Sequence, residues 1–241
     1  MYYRVENKYI VYEDQIAYIR ARLQDVMERD AYSRGGSYLV RSLYFDDFCD
    51  SAMYELESGV DERSKMRIRA YNADDTLIRL EEKRKKNGFT HKESVRMSRD
   101  TVMRLIERPS LAEAPAASMS LLREDGFLFR KLYAEMNTRL MHPVTIVEYE
   151  REAFVEKSGN VRITLDRNIG ASQMLEKFFA GDICAVPVME AGAHVLEIKY
   201  DELLPDNIRK LIDIGSLQRS ACSKYYYARQ MEKEMETVYE F

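Results

Sequence analysis

Tryptophan is absent from the 241 residues, and histidine, cysteine, proline and glycine are scarce at three, three, five and ten. The cysteines Cys49, Cys184 and Cys222 form no close pair, and with His91, His142 and His194 equally scattered, a zinc site or a disulfide framework is excluded. Few prolines and glycines beside 46% hydrophobic residues exclude a low-complexity or disordered chain. No apolar run reaches the roughly 18 residues of a membrane span, and the opening MYYRVENKYIVYEDQ lacks the basic-then-apolar order of a secretory signal. These absences predict a soluble, cytoplasmic chain without a membrane segment. A cationic excess is missing too: 37 Lys and Arg face 41 Asp and Glu, a net charge of −4. Binding to nucleic acid or to an anionic surface by bulk electrostatics is thereby excluded, so any anion site must be local. A metal would be held by carboxylate oxygen, which favours Mg²⁺ or Mn²⁺, the ions that accompany phosphates.

Hydrophobic period predicts helices at Glu13 to Ala31, Ser98 to Glu107, Ser120 to Leu140, Ala171 to Phe179, Pro205 to Ile214 and Ser223 to Val238. Alternation predicts eight strands: Tyr3 to Val11, Tyr38 to Asp46, Lys65 to Tyr71, Thr76 to Lys85, His91 to Met97, Val144 to Phe154, Val161 to Asp166 and His194 to Tyr200. Turn signals at Asn72 to Asp75, Asn87-Gly88 and Gly159-Asn160 make antiparallel pairing the expectation, and Arg108 to Met119 reads as a surface connector. The fold class expected is α+β, an eight-stranded antiparallel β-barrel with helices packed outside, forming a single domain over residues 1–241.

Residues two apart share a face of a strand. That count groups Arg4, Glu6 and Lys8; Arg67 and Arg69; Arg79, Glu81, Lys83 and Lys85; Lys92, Ser94 and Arg96. It also groups Tyr149 with Arg151, Arg162 with Thr164 and Asp166, and Glu197 with Lys199. A solvated sheet would alternate as well, but here cations sit side by side without an equal number of acids, which costs energy unless an anion neutralises them. A barrel with this face turned inward would enclose a basic lumen suited to a polyanion and a bound metal.

At these residues the sequence resembles the VTC domain, the catalytic domain of polyphosphate polymerases of the vacuolar transporter chaperone type, within the triphosphate tunnel metalloenzyme (CYTH-like) superfamily. The matching stretches are RVENKYIV (from Arg4), VRSLYFDD (from Val40), MRIRAY (from Met66), LEEKRK (from Leu80), HKESV (from His91), VEYEREAF (from Val147), VRITLD (from Val161), LEIKY (from Leu196) and CSKYYY (from Cys222). They occur in order over nearly the whole chain. The resemblance implies a triphosphate tunnel in which the γ-phosphate of ATP is added to a growing inorganic polyphosphate chain, with Mn²⁺ or Mg²⁺.

Carried over by position, the resemblance implies that Lys8, Arg67, Arg69, Lys83, Lys92, Arg151 and Arg162 are the catalytic, phosphate-binding cations. Tyr149, Lys199, Ser223 and Lys224 would bind substrate, with Ser223 equally readable as a cap of the helix that follows. Glu197 would be the principal metal ligand, and Glu6 and Glu81 either complete its shell or serve as counter-ions among the cations. Asp166 is expected to tie down a neighbouring arginine, and Arg79, Lys85 and Arg96 to occupy a solvated rim. Two departures stand out: Arg4 occupies the first position of the superfamily's Glu-x-Glu-x-Lys opening, and Ala221 stands where the well-studied polymerase has lysine. The sensing domain and membrane helices of larger relatives are not expected in this chain, so coupled export would require a separate membrane partner. Three activities remain open: polyphosphate synthesis from ATP, hydrolysis of tripolyphosphate or a nucleoside triphosphate, and non-catalytic polyphosphate binding.

Overall fold

In a computed structural model, residues 4–33, 35–87, 89–107, 126–213, 215 and 217–239 are described. The connector predicted at Arg108 to Met119, the first residues of the helix predicted from Ser120, and Gly88 of the Asn87-Gly88 turn lie outside them. The strands are β1 (Arg4–Tyr12), β2 (Glu28–Arg29), β3 (Tyr38–Asp46), β4 (Arg63–Tyr71), β5 (Asp74–Lys86), β6 (Phe89–Met97), β7 (His142–Glu156), β8 (Val161–Ser172), β9 (Val186–Pro187) and β10 (Ala193–Asp201). The helices are α1 (Glu13–Leu23), α2 (Ser51–Glu57), α3 (Arg99–Glu107), α4 (Phe127–Thr138), α5 (Asp206–Ile212) and α6 (Lys224–Tyr239). The α+β class and the eight long strands are those expected from the sequence. Their order is β1-β10-β8-β7-β3-β4-β5-β6, with the short β2 added to β7 and β9 to β8.

Two predicted helices are corrected. The stretch Ala171 to Phe179 instead finishes β8 and forms a 3-10 turn at Leu175–Lys177, because extending the strand buries Ile169 and Ala171. Helix α1 stops at Leu23 rather than Ala31, because Glu28 and Arg29 pair with Val155 and Phe154. Helix α2 was not anticipated; its seven residues are too few to show a period, and Asp46 and Asp47 accept hydrogen bonds from the backbone of Ser51, Ala52 and Met53 at its start.

The chain forms two compact units. The first comprises residues 1–39, 149–170 and 187–224. In it β1 pairs with β10 from Arg4↔Asp201 to Tyr12↔Ala193, and β10 pairs with β8. One face of this sheet carries Leu196, Ile198, Ile163 and Leu165, which pack against Ile16, Ile19 and Leu23 of α1 and Ile208 and Ile212 of α5. Acids Glu13 and Asp14 open α1 and Arg20 and Arg22 close it, both favourable to the helix dipole. The turn from β7 to β8 needs Gly159: its φ is +71°, and a Cβ there would lie 3.1 Å from the Leu203 carbonyl oxygen.

The second unit comprises residues 40–148, 171–186 and 225–241. Here β3, β4, β5 and β6 are antiparallel neighbours. Asn72 and Ala73, with φ of 54° and 53°, make the two-residue turn that matches strand twist between β4 and β5. Leu43, Phe45, Met66, Ile68 and Leu80 project from one face onto Val102 and Leu105 of α3 and Leu128, Phe129 and Leu132 of α4. Arg41, on the same core face and fully buried, is held by Glu148 and by the carbonyls of Phe178 and Ala180 at 2.7 and 2.6 Å. In each unit the helices cover one sheet face, and the opposite face carries rows of charged residues.

Candidate phosphate-binding site

The charged face of the first unit follows from the register. Glu6 lies opposite Lys199, which lies opposite Arg162; Lys8 lies opposite Glu197, which lies opposite Thr164. Lys8 contacts Glu6 at 3.3 Å and Glu197 at 4.0 Å, and it donates to the Cys222 carbonyl at 3.1 Å. Lys199 is ion-paired with Glu197 and reaches Glu6 at 3.9 Å. Deeper in, Arg151 grips Asp166 with two bonds of 2.6 and 2.7 Å, and Lys224 meets the same carboxylate at 2.7 Å. Arg151 and Lys224 both stack on the Tyr149 ring, at 5.2 and 4.8 Å from its centre. Arg162 donates to Asp30 at 2.6 Å and to the Tyr38 hydroxyl at 3.3 Å.

These groups set one another's charge. Burial by itself would raise the carboxyl groups, but Lys199, Lys8 and Arg151 hold Glu197 well below the usual range. Asp166, also penalised by burial, is kept below its ordinary value by Arg151 and Lys224. Burial works against the charge of Arg151 and Lys224, and Asp166 more than offsets it, so both proton affinities are raised. Asp166 does tie down an arginine as expected, and it takes Lys224 as well. Lys224 therefore sits in a buried ion pair at the head of α6, directly after Ser223.

The second unit is balanced differently. Across β4, β5 and β6 the register aligns Arg63 with Lys85, Lys65 with Lys83 and Lys92, Arg67 with Glu81, and Arg69 with Arg79 and Arg96. Along the paired stretches Arg63 to Arg69, Arg79 to Lys85 and Thr90 to Arg96, Glu81 is the one carboxylate aligned with these cations. Arg67 bonds it through Nε and Nη2 at 2.9 and 2.8 Å, Lys92 is ion-paired with its other oxygen, and Arg69 lies 3.8 Å away. Burial opposes ionisation of Glu81, yet Arg67, Arg69 and Lys92 carry its carboxyl far below the normal range. Lys92 is itself lowered, by burial and by repulsion from Arg67 and Arg69 that Glu81 does not fully offset. A cation so crowded is relieved by an incoming anion.

All predicted cations therefore lie on charged faces: Lys8, Arg151 and Arg162 in the first unit, Arg67, Arg69, Lys83 and Lys92 in the second. Several partners were missed from the sequence. The Tyr44 hydroxyl accepts a bond from Arg67 at 3.0 Å, Ser42 accepts one from Arg69 at 3.3 Å, and Lys65 lies 5.4 Å from the centre of the Tyr225 ring. Strand parity held the signal, since Ser42 and Tyr44 alternate out of the core and Lys65 shares the parity of Arg67. No parity rule could pair Arg162 with Asp30, which approaches from a loop.

The carboxylates fit a divalent cation of one kind only. Among the described residues no group of three or more His, Cys, Asp or Glu is placed to hold a metal by itself. Glu197 and Glu6 are close enough to share Lys8 and Lys199, while both Glu81 oxygens are engaged by cations. The Thr164 hydroxyl, opposite Glu197, is buried and has no hydrogen-bond partner among the described residues. One or two carboxylates and an orphaned hydroxyl can contribute to the shell of a hard divalent cation but do not make an all-protein cage.

An antiparallel α+β sheet with helices on one face and arginine and lysine ladders on the other defines a phosphate-handling tunnel-fold protein. The VTC domain family matches residues 3–232, and the chain belongs to that family. No curated protein matches it. The fold is similar to that of a Bacillus halodurans protein provisionally called an adenylate cyclase, with TM-score 0.51 and 12% identity over 92% of this chain and 94% of that one. Weaker likenesses link it to a protein from Pyrococcus horikoshii OT3 (TM-score 0.40, 12% identity, 87% and 85% covered) and to a conserved hypothetical protein from Pyrococcus furiosus (0.41, 11%, 87% and 85%). No helix among the described residues is long and apolar enough to cross a membrane.

Proposed function

We propose that the chain, taken as one domain over residues 1–241, is a metal-dependent phosphotransferase that moves the γ-phosphate of ATP onto a growing inorganic polyphosphate chain. The observation that carries this reading is the β4–β6 face, where rows of arginine and lysine surround the single carboxylate of Glu81 on strands of a VTC-family chain. Phosphoryl transfer asks little covalent help of a protein; positioning and charge neutralisation supply most of the rate.

Arg67, Arg69, Arg151 and Arg162 bind phosphate oxygens through forked donors, and Lys8, Lys83 and Lys92 act as compact charges. Glu81 is the resident counter-ion that arriving phosphate displaces from Arg67 and Lys92. Asp166 fixes Arg151 and Lys224, and these two clamp Tyr149, whose hydroxyl is then directed to phosphate. Lys199 and Ser223 complete the substrate contacts. Glu197, with Glu6 and the Thr164 hydroxyl, would hold the Mn²⁺ or Mg²⁺, which when bound would supply positive charge to offset that of the phosphates.

Incubation of the protein with ATP and Mn²⁺ should give ADP together with long-chain phosphate on a gel. ADP or phosphate without polymer would replace the polymerase by a hydrolase, and binding without turnover would replace the enzyme by a polyphosphate-binding module.

A further inference from the structure

Beyond the row that pairs Arg63 with Lys85, three further rows of the β4–β6 face differ in chemistry. One row is all lysine, Lys65, Lys83 and Lys92; the middle row is Arg67, Glu81 and Ser94; the third is all arginine, Arg69, Arg79 and Arg96. Neighbouring strands lie about 4.8 Å apart, so like charges directly opposite one another repel. In the middle row Glu81 relieves the repulsion with contacts of 2.8 and 2.9 Å to Arg67. In the arginine row Glu81 approaches Arg69 at 3.8 Å, and among the described residues no carboxylate lies opposite Arg79 or Arg96.

Arg79 and Arg96 instead rest on neutral oxygens. Arg79 donates to the Ser94 hydroxyl at 3.3 Å, and Arg96 donates to the Thr76 carbonyl at 3.3 Å. Both bonds are at the long end of the N–H···O range and go to uncharged acceptors, so an anionic oxygen would outcompete them. The row also adjoins a β-bulge between Arg69 and Tyr71, a device that bends a strand and redirects its side chains.

We infer that Arg79 and Arg96, together with Arg69, form a further subsite for a terminal phosphoryl group. The inference rests on the phosphate-binding reading above and adds two residues to it. A terminal phosphoryl carries three unshared oxygens in a fixed array, which planar forked guanidiniums match and lysine ammoniums do not. An internal phosphate of a chain offers two, and the neighbouring lysine row suits it, because a compact ammonium charge holds an anion without fixing its orientation. Arginine thus anchors an end, and lysine accommodates a chain that must move.

The test replaces both arginines at once while keeping the charge, Arg79→Lys with Arg96→Lys, and compares this variant with Arg79→Gln/Arg96→Gln and with Arg67→Gln. Inorganic tripolyphosphate and ATP are titrated calorimetrically into each, and thermal melting confirms the fold. Both double variants should weaken tripolyphosphate binding, the glutamine pair by about tenfold or more, as expected for lost charge-assisted bonds. Weakening of ATP binding as well assigns the subsite to the nucleotide's terminal phosphoryl; weakening with tripolyphosphate alone assigns it to the chain end. If the lysine pair binds both probes like the parent while Arg67→Gln does not, the subsite is overturned and the function stands. If the parent binds neither probe, the function itself fails, and the subsite with it.

Discussion

The two charged faces are built from the same residue types and reach opposite electrostatic ends. In the first unit, Glu6, Asp166 and Glu197 are threaded between Lys8, Arg151, Lys199 and Lys224, and each acid has at least one cation within 4.0 Å. In the second, Glu81 alone serves Arg67, Arg69 and Lys92, while Arg79 and Arg96 find only neutral oxygens. The first face is neutralised largely from within; on the second, the aligned cations outnumber the carboxylate they share.

The largest way to break the contrast is Asp166→Asn. It leaves Arg151 and Lys224 buried without their carboxylate, and chemical denaturation should register a loss of about 3–5 kcal/mol. Arg67→Gln comes next: Glu81 keeps Lys92 and Arg69, so folding is less affected. Steady-state kinetics with ATP should show kcat reduced by about 10² to 10³ if a donor to the transferring group is gone.

Glu81→Gln sharpens the comparison, since it removes the carboxylate that Arg67, Arg69 and Lys92 share. Stability at neutral pH should fall by about 1–3 kcal/mol, and added tripolyphosphate should raise the melting temperature more in the variant than in the parent. The pH dependence has a fixed sign. The Glu81 carboxyl is lowered from 4.5 on folding, so its contribution is complete above that pH and disappears as pH falls toward the lower folded value. The parent's advantage over Glu81→Gln should therefore be constant from neutrality to about pH 5 and shrink below. Thr164→Val should have the smallest effect on folding. Removing an orphaned hydroxyl should leave stability unchanged or raised by up to about 1 kcal/mol, while Mn²⁺ binding in the presence of tripolyphosphate, followed by electron paramagnetic resonance, should weaken.

Much of this was legible in the sequence because a strand's period is short and exact in sign. Alternation alone locates β3 residue for residue at Tyr38–Asp46 and puts Arg67, Arg69, Lys83 and Lys92 on charged strand faces. What escaped was decided by tertiary partners. The segment Ala171 to Phe179 has helical composition, yet pairing draws its start into β8. Lys224 could be placed after a cap residue but not against Asp166, 58 positions earlier, because burial chooses that partner. Arg79 and Arg96 keep the solvent contact expected of a rim; what parity within one strand does not give is the cross-strand register that lines them up with Arg69.

The central claim is that phosphate charge is taken up chiefly by the β4–β6 face. Calorimetric titration of tripolyphosphate into the parent, Arg67→Gln and Lys199→Gln compares one cation from each unit. The account predicts at least a roughly tenfold loss of affinity for Arg67→Gln and no more than about threefold for Lys199→Gln, whose ammonium is already paired with Glu197. The reverse order, with Lys199→Gln the more damaging, would contradict it.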